Sequence, residues 1–213
     1  MSDESRTPES SSPTIEIREN GPYLVKNLGS LQLADGTTRP TEEVFALCRC
    51  GGSANKPFCD GTHKRNGFSG ARETDAALDR ERLYEGSEIA IHDNRTICSH
   101  ATHCTKDLPA VFRYGQKPWI DPEGADAAAI MEQIRRCPSG ALSYARGGEI
   151  VRDVAREPGI EIERGGPYRV TGSIALSGDL QPPSREHYAL CRCGRSRNKP
   201  FCDGTHHDVD FDV

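Results

Sequence analysis

The sequence predicts an α+β, β-rich chain in which two small β modules pair as a pseudo-dimer, with an α+β module inserted between them. Three observations carry that fold class. A sixteen-residue stretch occurs twice, as CRCGGSANKPFCDGTH at residues 48–63 and CRCGRSRNKPFCDGTH at residues 191–206. The runs leading into each copy also recur, down to the tripeptides Gly21-Pro22-Tyr23 and Gly166-Pro167-Tyr168, so the repeated unit includes strands as well as the cysteine loop. Between the copies lies a different stretch, with its own cysteines and a helical pattern. The boundaries read as a Ser/Pro/Glu-rich tail over 1–13, expected to be disordered, a β module over 14–70, a linker over 71–82, the inserted module over 83–152 and a second β module over 153–213.

In chain order, Thr14 to Arg18 alternates apolar and polar residues and predicts a short strand. Asn20-Gly21-Pro22 turns it into Tyr23 to Lys26. Gly29 to Leu33, a turn at Asp35-Gly36 and Glu43 to Leu47 then lead into Cys48. Arg72 to Arg82 is polar and of helical composition. A strand is expected at Ser87 to His92 and a short one between prolines at Pro118 to Pro122. Ala125 to Arg136 predicts a helix with Ile130 and Ile134 on one face and basic residues in its last turn. The opening order then returns: Ile160 to Glu163, Tyr168 to Val170, Gly172 to Leu176, a turn at Gly178-Asp179, and His187 to Leu190 into Cys191. Whether strands exchange between the modules, or between chains of a homodimer, stays open; a monomer with an internal pseudo-dimer is the expectation.

Composition bounds the chemistry. Only 35% of the 213 residues are hydrophobic and 6% aromatic, so the apolar core must be thin, and 21 glycines with 14 prolines call for many turns. Thinly cored modules need staples, and bound metal can serve as one. Nine cysteines are an awkward count for a disulfide framework but divide into three groups of three, which fits a reducing compartment. The N-terminal residues are polar, with no apolar signal region, and no later run is long enough to span a bilayer, so a cytoplasmic, membrane-free protein is expected. A net charge of −5 and a pI near 5.8 argue against nucleic-acid binding. A local cluster of Arg192, Arg195, Arg197 and Lys199 reads either as an ordinary solvated face or as a surface that neutralises a metal centre or docks an acidic partner.

Each sixteen-residue copy offers three thiolates and one imidazole in the pattern C-x-C-x8-C-x3-H: Cys48, Cys50, Cys59 and His63, then Cys191, Cys193, Cys202 and His206. Four soft ligands so close together suit a metal better than a disulfide. Cysteines one residue apart project to one side of a turn, and Cys59 and His63 share a face if Pro57 opens a helix. Glycines after the second cysteine let backbone N–H groups approach inorganic sulfide. Asp60 is placed to accept hydrogen bonds from its own turn. Three cysteines with a histidine are also a legitimate structural zinc set.

Both copies resemble the CDGSH iron–sulfur motif of the mitoNEET family, C-x-C-x2-(S/T)-x3-P-x-C-D-G-(S/A/T)-H. Ser53, Pro57, Ser196 and Pro200 fill the intermediate slots, and Thr62 and Thr205 replace the more usual serine. The resemblance implies a 2Fe–2S cluster on Cys48, Cys50, Cys59 and His63, and another on Cys191, Cys193, Cys202 and His206. The middle cysteines resemble a divergent single-cluster ferredoxin, whose pattern is C-x2-C-x2-C with a remote C-P. Cys98 and Cys104 take the first and third slots and Cys137-Pro138 the remote one, but the second slot holds Ala101. Alanine cannot bind iron, so the inference is a 3Fe–4S cluster on Cys98, Cys104 and Cys137. The alternative is a 4Fe–4S cluster completed by His100 or His103.

No phosphate-binding glycine loop, dinucleotide fingerprint or nucleophile elbow occurs, so the chain is expected to be no enzyme by itself but an electron-transfer protein that serves redox partners. Storing 2Fe–2S clusters or delivering them to apo-proteins, or redox sensing, is the alternative, and a zinc-stabilised interaction module the third reading. Replacing a thiolate by neutral imidazole should raise the cluster potential, as in Rieske centres, and protons compete with metal for histidine near neutrality. Mild acid is therefore expected to strip the two end clusters, followed by visible absorbance, while His63→Cys and His206→Cys variants resist; loss at the wild-type pH in those variants would remove histidine as the acid-sensitive ligand.

Overall fold

The computed structural model describes residues 12–212, so most of the tail expected to be disordered lies outside the described residues. The first repeat forms β1 (Thr14–Ile17), β2 (Tyr23–Lys26), β3 (Ser30–Gln32), β4 (Thr38–Pro40) and β5 (Val44–Leu47). The middle contributes β6 (Arg82–Tyr84), β7 (Ala90–Asp93), α1 (His103–Asp107), α2 (Ala127–Arg135), β8 (Leu142–Arg146) and β9 (Glu149–Val151). The second repeat forms β10 (Gly159–Ile162), β11 (Tyr168–Thr171), β12 (Ala175–Leu176) and β13 (His187–Leu190). The chain is thus α+β and rich in strand.

The repeats exchange strands. One sheet runs β12-β1-β2-β5 and another β13-β11-β10-β3-β4. Each has an antiparallel trio from one repeat joined in parallel to the other: Thr14 pairs with Ala175 and Ile15 with Leu176, so β12 edges the first sheet, while Gln32 pairs with Glu161 and brings the β3-β4 pair to the second. Alternation along the strands sends Ile15, Tyr23 and Val25 from the first repeat, with Ile160, Tyr168 and Val170 from the second, into one shared buried core. Tyr23 and Tyr168, both fully buried, meet edge to face with ring centroids 6.0 Å apart. Exchange within one chain answers what the sequence left open, and it covers edges that four-residue strands would otherwise expose.

The middle builds a third sheet, β6-β7-β8-β9, with α2 against β8 and α1 against α2. Its separate core gathers Ile91, Phe112, Ile120, Ile130 and Ile134, the last two being the predicted apolar face of the helix. Asp126 caps α2 by accepting from the Ala129 N–H at 2.8 Å. Gly147 and Gly148, at φ of 61° and 85°, make the two-residue turn that joins β8 to β9.

Two expected elements are absent from the described residues. The linker forms no helix: Arg72 donates to the Ala76 carbonyl and, at 2.8 Å, to Asn198 Oδ1, and the Glu73 N–H reaches the Arg197 carbonyl at 2.8 Å, so contacts with the second repeat hold it extended. Pro118 to Pro122 contributes a single bridge, Phe112 to Ile120, in place of a strand. No helix among the described residues is long and apolar enough to cross a membrane.

On β13, immediately before the second cysteine loop, His187 is 3% exposed, and its Nε2 has no partner. Burial pushes its imidazole down to about 4. A folded pKa below the unfolded one means that the unfolded chain takes up the extra proton, so stability is lost as pH falls from about 6.5 toward 4. At pH 5 that loss is on the order of 2 kcal/mol, or several degrees of unfolding temperature. Thermal unfolding of His187→Gln should therefore lose less between pH 7 and pH 5 than wild type; equal losses would exclude His187 as the titrating group.

Candidate metal centres

Each repeat builds its candidate ligands in the same way. β5 runs out at Leu47, which bridges to Phe58, while the Cys48 N–H bonds the Pro57 carbonyl at 2.8 Å and the Cys59 N–H bonds the Ala46 carbonyl at 2.9 Å. The cysteine loop therefore folds back on the strand that feeds it. The helix expected from Pro57 does not form. Instead Gly61, at a φ of 85°, turns the chain into a single 3-10 turn, Thr62–Lys64, and this turn returns His63 to Cys59. Gly204 and the turn Thr205–Asp208 do the same for His206.

The donors converge in pairs. Cys48 and Cys50 Sγ lie 3.8 Å apart, and Cys59 Sγ lies 3.3 Å from His63 Nδ1. In the second repeat the separations are 3.9 Å for Cys191 and Cys193 and 3.2 Å for Cys202 and His206. Two thiolates on one tetrahedral metal with bonds of about 2.3 Å stand about 3.8 Å apart, so each pair has the spacing of two ligands on a single metal. The loop is rigidly tied. Asp60 accepts from the N–H groups of Ala54 and Thr62, and Asp203 from those of Arg197 and Thr205. Hydrogen bonds from Thr62 and Ala54 hold the Asp60 carboxyl well below the usual range. Ser53 and Ser196 each donate to the carbonyl five residues on, at 2.7 Å.

The recurring Gly-Pro-Tyr finds its purpose here. Tyr23 of the first repeat donates its hydroxyl to the carbonyls of Cys191 (3.0 Å) and Pro200 (3.1 Å), both in the second cysteine loop. Tyr168 reciprocates, reaching Cys48 (2.7 Å) and Pro57 (3.1 Å) in the first. Between the loops, Gly51 and Gly194 abut: a Cβ on Gly51 would sit 2.4 Å from the Cys193 carbonyl oxygen, and one on Gly194 2.6 Å from that of Cys50. Both have φ above 70°, so glycine is required twice over.

Arg192 and Lys199 are not on a basic face. Arg192, 2% exposed, bonds the Gly166 and Glu163 carbonyls and pairs with Asp212, and Lys199, 3% exposed, bonds the Ser196 carbonyl and Glu73. Arg49 is buried likewise, donating to the Arg18 and Gly70 carbonyls. Of the predicted cluster only Arg195 and Arg197 are exposed.

The two centres differ in cover. Cys191, Cys193, Cys202 and His206 are all buried, whereas in the first repeat only Cys48 is, with Cys50, Cys59 and His63 partly exposed. His207, which the sequence reading left unassigned, stacks on His206 with ring centroids 4.1 Å apart and contacts the His100 carbonyl at 3.0 Å. The signal lay in the repeat itself, which reads Thr-His-Lys at the first copy and Thr-His-His at the second. Burial pushes the Cys48 and Cys202 thiols up, and the hydrogen bond from Cys191 pulls Cys193 down to about 7.

Cys98 closes a 3-10 turn (Arg95–Ile97), Cys104 lies on α1, and Cys137 follows α2. Burial, with Cys137 adding its charge, pushes Cys98 up to about 12 and Cys104 up to about 11, so the three share one electrostatic neighbourhood. The His100 ring lies over Gly204, and His103 Nε2 faces the Arg169 guanidinium at 3.2 Å. Arg95 lies over the Trp119 ring, 4.4 Å from its centroid, and donates to Cys98 Sγ at 3.8 Å. Trp119 in turn donates to buried Asp93 at 3.1 Å. The hydroxyl of Ser99, beside Cys98, is buried with no partner.

Sulfur and nitrogen donors held in metal-spaced pairs mark a metal-binding protein. The family model described as iron-binding zinc finger CDGSH type matches residues 20–64 and 165–207, and that described as divergent 4Fe-4S mono-cluster matches residues 84–147. The chain belongs to the CDGSH iron–sulfur family, with two CDGSH regions flanking a divergent 4Fe-4S mono-cluster region. It is 40% identical over 63 residues, 30% of this chain and 83% of the relative, to the uncharacterized protein YjdI of Escherichia coli K12, and equally to that of Escherichia coli O157:H7. No solved structure matches.

Arg95 is a handle on the central centre. Hydrogen bonds and positive charge at a ligand sulfur favour the reduced state. Arg95→Gln should lower the potential of the central centre by on the order of 50 mV, about 1 kcal/mol for one electron, whereas Arg95→Lys should shift it less. A redox titration that finds no change in Arg95→Gln would remove this role.

Proposed function

We propose that the chain is a multi-cluster electron-transfer protein. Two 2Fe–2S clusters are held by Cys48, Cys50, Cys59 and His63 and by Cys191, Cys193, Cys202 and His206, and one 3Fe–4S cluster by Cys98, Cys104 and Cys137. The two repeats form a pseudo-dimer, and the middle is a ferredoxin-like module inserted between them. When bound, such clusters supply one-electron redox chemistry. The observation that carries the reading is contiguity: backbone meets backbone between the two CDGSH loops at Gly51 and Gly194, and His100 of the central loop rests on Gly204 of the second. Residues of the chain do the rest. Tyr23, Tyr168 and Phe201 back the loops with buried aromatic surface, and His63 and His206 replace a charged ligand by a neutral one. The protein then acts as a carrier for redox partner proteins rather than as an enzyme by itself.

The donor pairs favour dinuclear centres over zinc. One tetrahedral ion would draw four donors to a single point, but among the described residues no three of His, Cys, Asp and Glu converge as a single-ion site requires. The contact of His103 Nε2 with Arg169 supports three thiolates, rather than a cluster completed by His103, at the centre. Delivery of 2Fe–2S clusters to apo-proteins is the second reading, favoured by the partial exposure of Cys50, Cys59 and His63.

Iron, zinc and acid-labile sulfide counted on protein purified without oxygen test the assignment. About seven irons and about eight sulfides per chain are expected. About eight irons would replace the 3Fe–4S centre by a cubane, and stoichiometric zinc without sulfide would end the redox reading.

A further inference from the structure

We propose that the two CDGSH sites are not equivalent: the N-terminal site exchanges its cluster with the surroundings, while the C-terminal site is locked shut by the central module and retains its own. The inference rests on the cluster assignment above and adds a division of labour that the near-identical ligand motifs do not contain.

The difference lies in what surrounds each motif. The central module packs on the second motif and not symmetrically on both. Asn198 donates to the Thr96 carbonyl at 2.7 Å, His100 covers Gly204, and the His207 ring spans from His206 to the His100 carbonyl at 3.0 Å. Arg169, on β11, reaches His103 at 3.2 Å. The linker adds a further tie, through Arg72 to Asn198 and Glu73 to Lys199. The chain end closes the remaining side: Phe211 packs with Cys191 and Cys193, and Asp212 clamps Arg192. As a result His206 is 7% exposed and Cys202 3%. Around the first motif the contacts are fewer. Phe68 is the counterpart of Phe211, but among the described residues no module sits on the turn that carries His63, and Asp60, Lys64 and Arg65 are exposed. Local opening that must break tertiary contacts is slower and rarer than opening at an exposed turn.

Release requires no oxidant or reductant. Three iron–thiolate bonds, one iron–imidazole bond and the iron–sulfide bonds would break, the chelator's donors would take the iron, and solvent would protonate the freed thiolates and sulfide. A chelator therefore serves as the probe.

The holoprotein, purified without oxygen and analysed for iron and sulfide, is challenged with excess EDTA at constant pH, and iron release is counted against time. Two irons per chain are expected in a fast phase at least tenfold ahead of the rest. Cys59→Ser should start two irons short and lack that phase. Asn198→Ala, which cuts a tie without touching a ligand, should speed the next two irons and leave the first two unchanged. Four irons leaving together, a fast phase that survives in Cys59→Ser, or an unaltered slow phase in Asn198→Ala overturns the proposal. Absence of sulfide before the challenge fails the cluster assignment itself, an outcome distinct from these.

Discussion

Two buried phenols hold this molecule together. Tyr23 and Tyr168 each place a hydroxyl on two carbonyls of the opposite cysteine loop, and their rings meet at the centre of the shared core. A buried hydroxyl or carbonyl left without a partner costs on the order of 1–3 kcal/mol, so neither loop can move independently of the repeat across from it. The exchanged strands, the abutting glycines and the joint core all follow from that crossed arrangement. Each candidate centre is built on its own repeat and braced by the other.

The same arrangement explains why an acidic protein keeps cations inside. Arg49 and Arg192, the central residues of the two C-R-C triplets, are buried, tie down the turns of their own repeats and lie near the ring faces of Tyr23 and Tyr168. Burying a guanidinium is expensive unless every donor is engaged. Arg192 meets that demand with carbonyls and Asp212, while Arg49 leaves its Nε unpaired. Local clusters of basic residues in a sequence are usually surface. Here carbonyls of their own repeats and aromatic rings hold two of them in the core.

Much of the fold was legible because the repeat states it twice. The two cysteine–histidine loops, most of the strands before them and the apolar face of α2 were readable from spacing and alternation. What failed was decided by distant residues. The linker has helical composition, but Asn198 and Arg197, more than a hundred residues away, hold it extended. Pro57 suited a helix start, yet the bridge from Phe58 to Leu47 took the chain back along its own strand. The five-residue α1 and the three-residue β4 are too short to show a period. The Gly-Pro-Tyr repeat was visible, but nothing local says that a tyrosine bonds the other loop. The unequal cover of the two centres was beyond reach, because the motifs themselves are nearly identical.

Strand exchange also orders events in time. Thr14 finds its parallel neighbour only at Ala175, and Gln32 only at Glu161. During synthesis from the N-terminus, the first cysteine loop therefore emerges with neither its edge strand nor its bracing tyrosine. The central sheet, whose strands pair within residues 82–151, has every partner it needs long before. Contacts near in sequence form before remote ones. The middle of the chain is thus the first part able to close, and the first repeat stays open until Tyr168 and Ala175 have been made. A terminal truncation would accordingly damage not one centre but two.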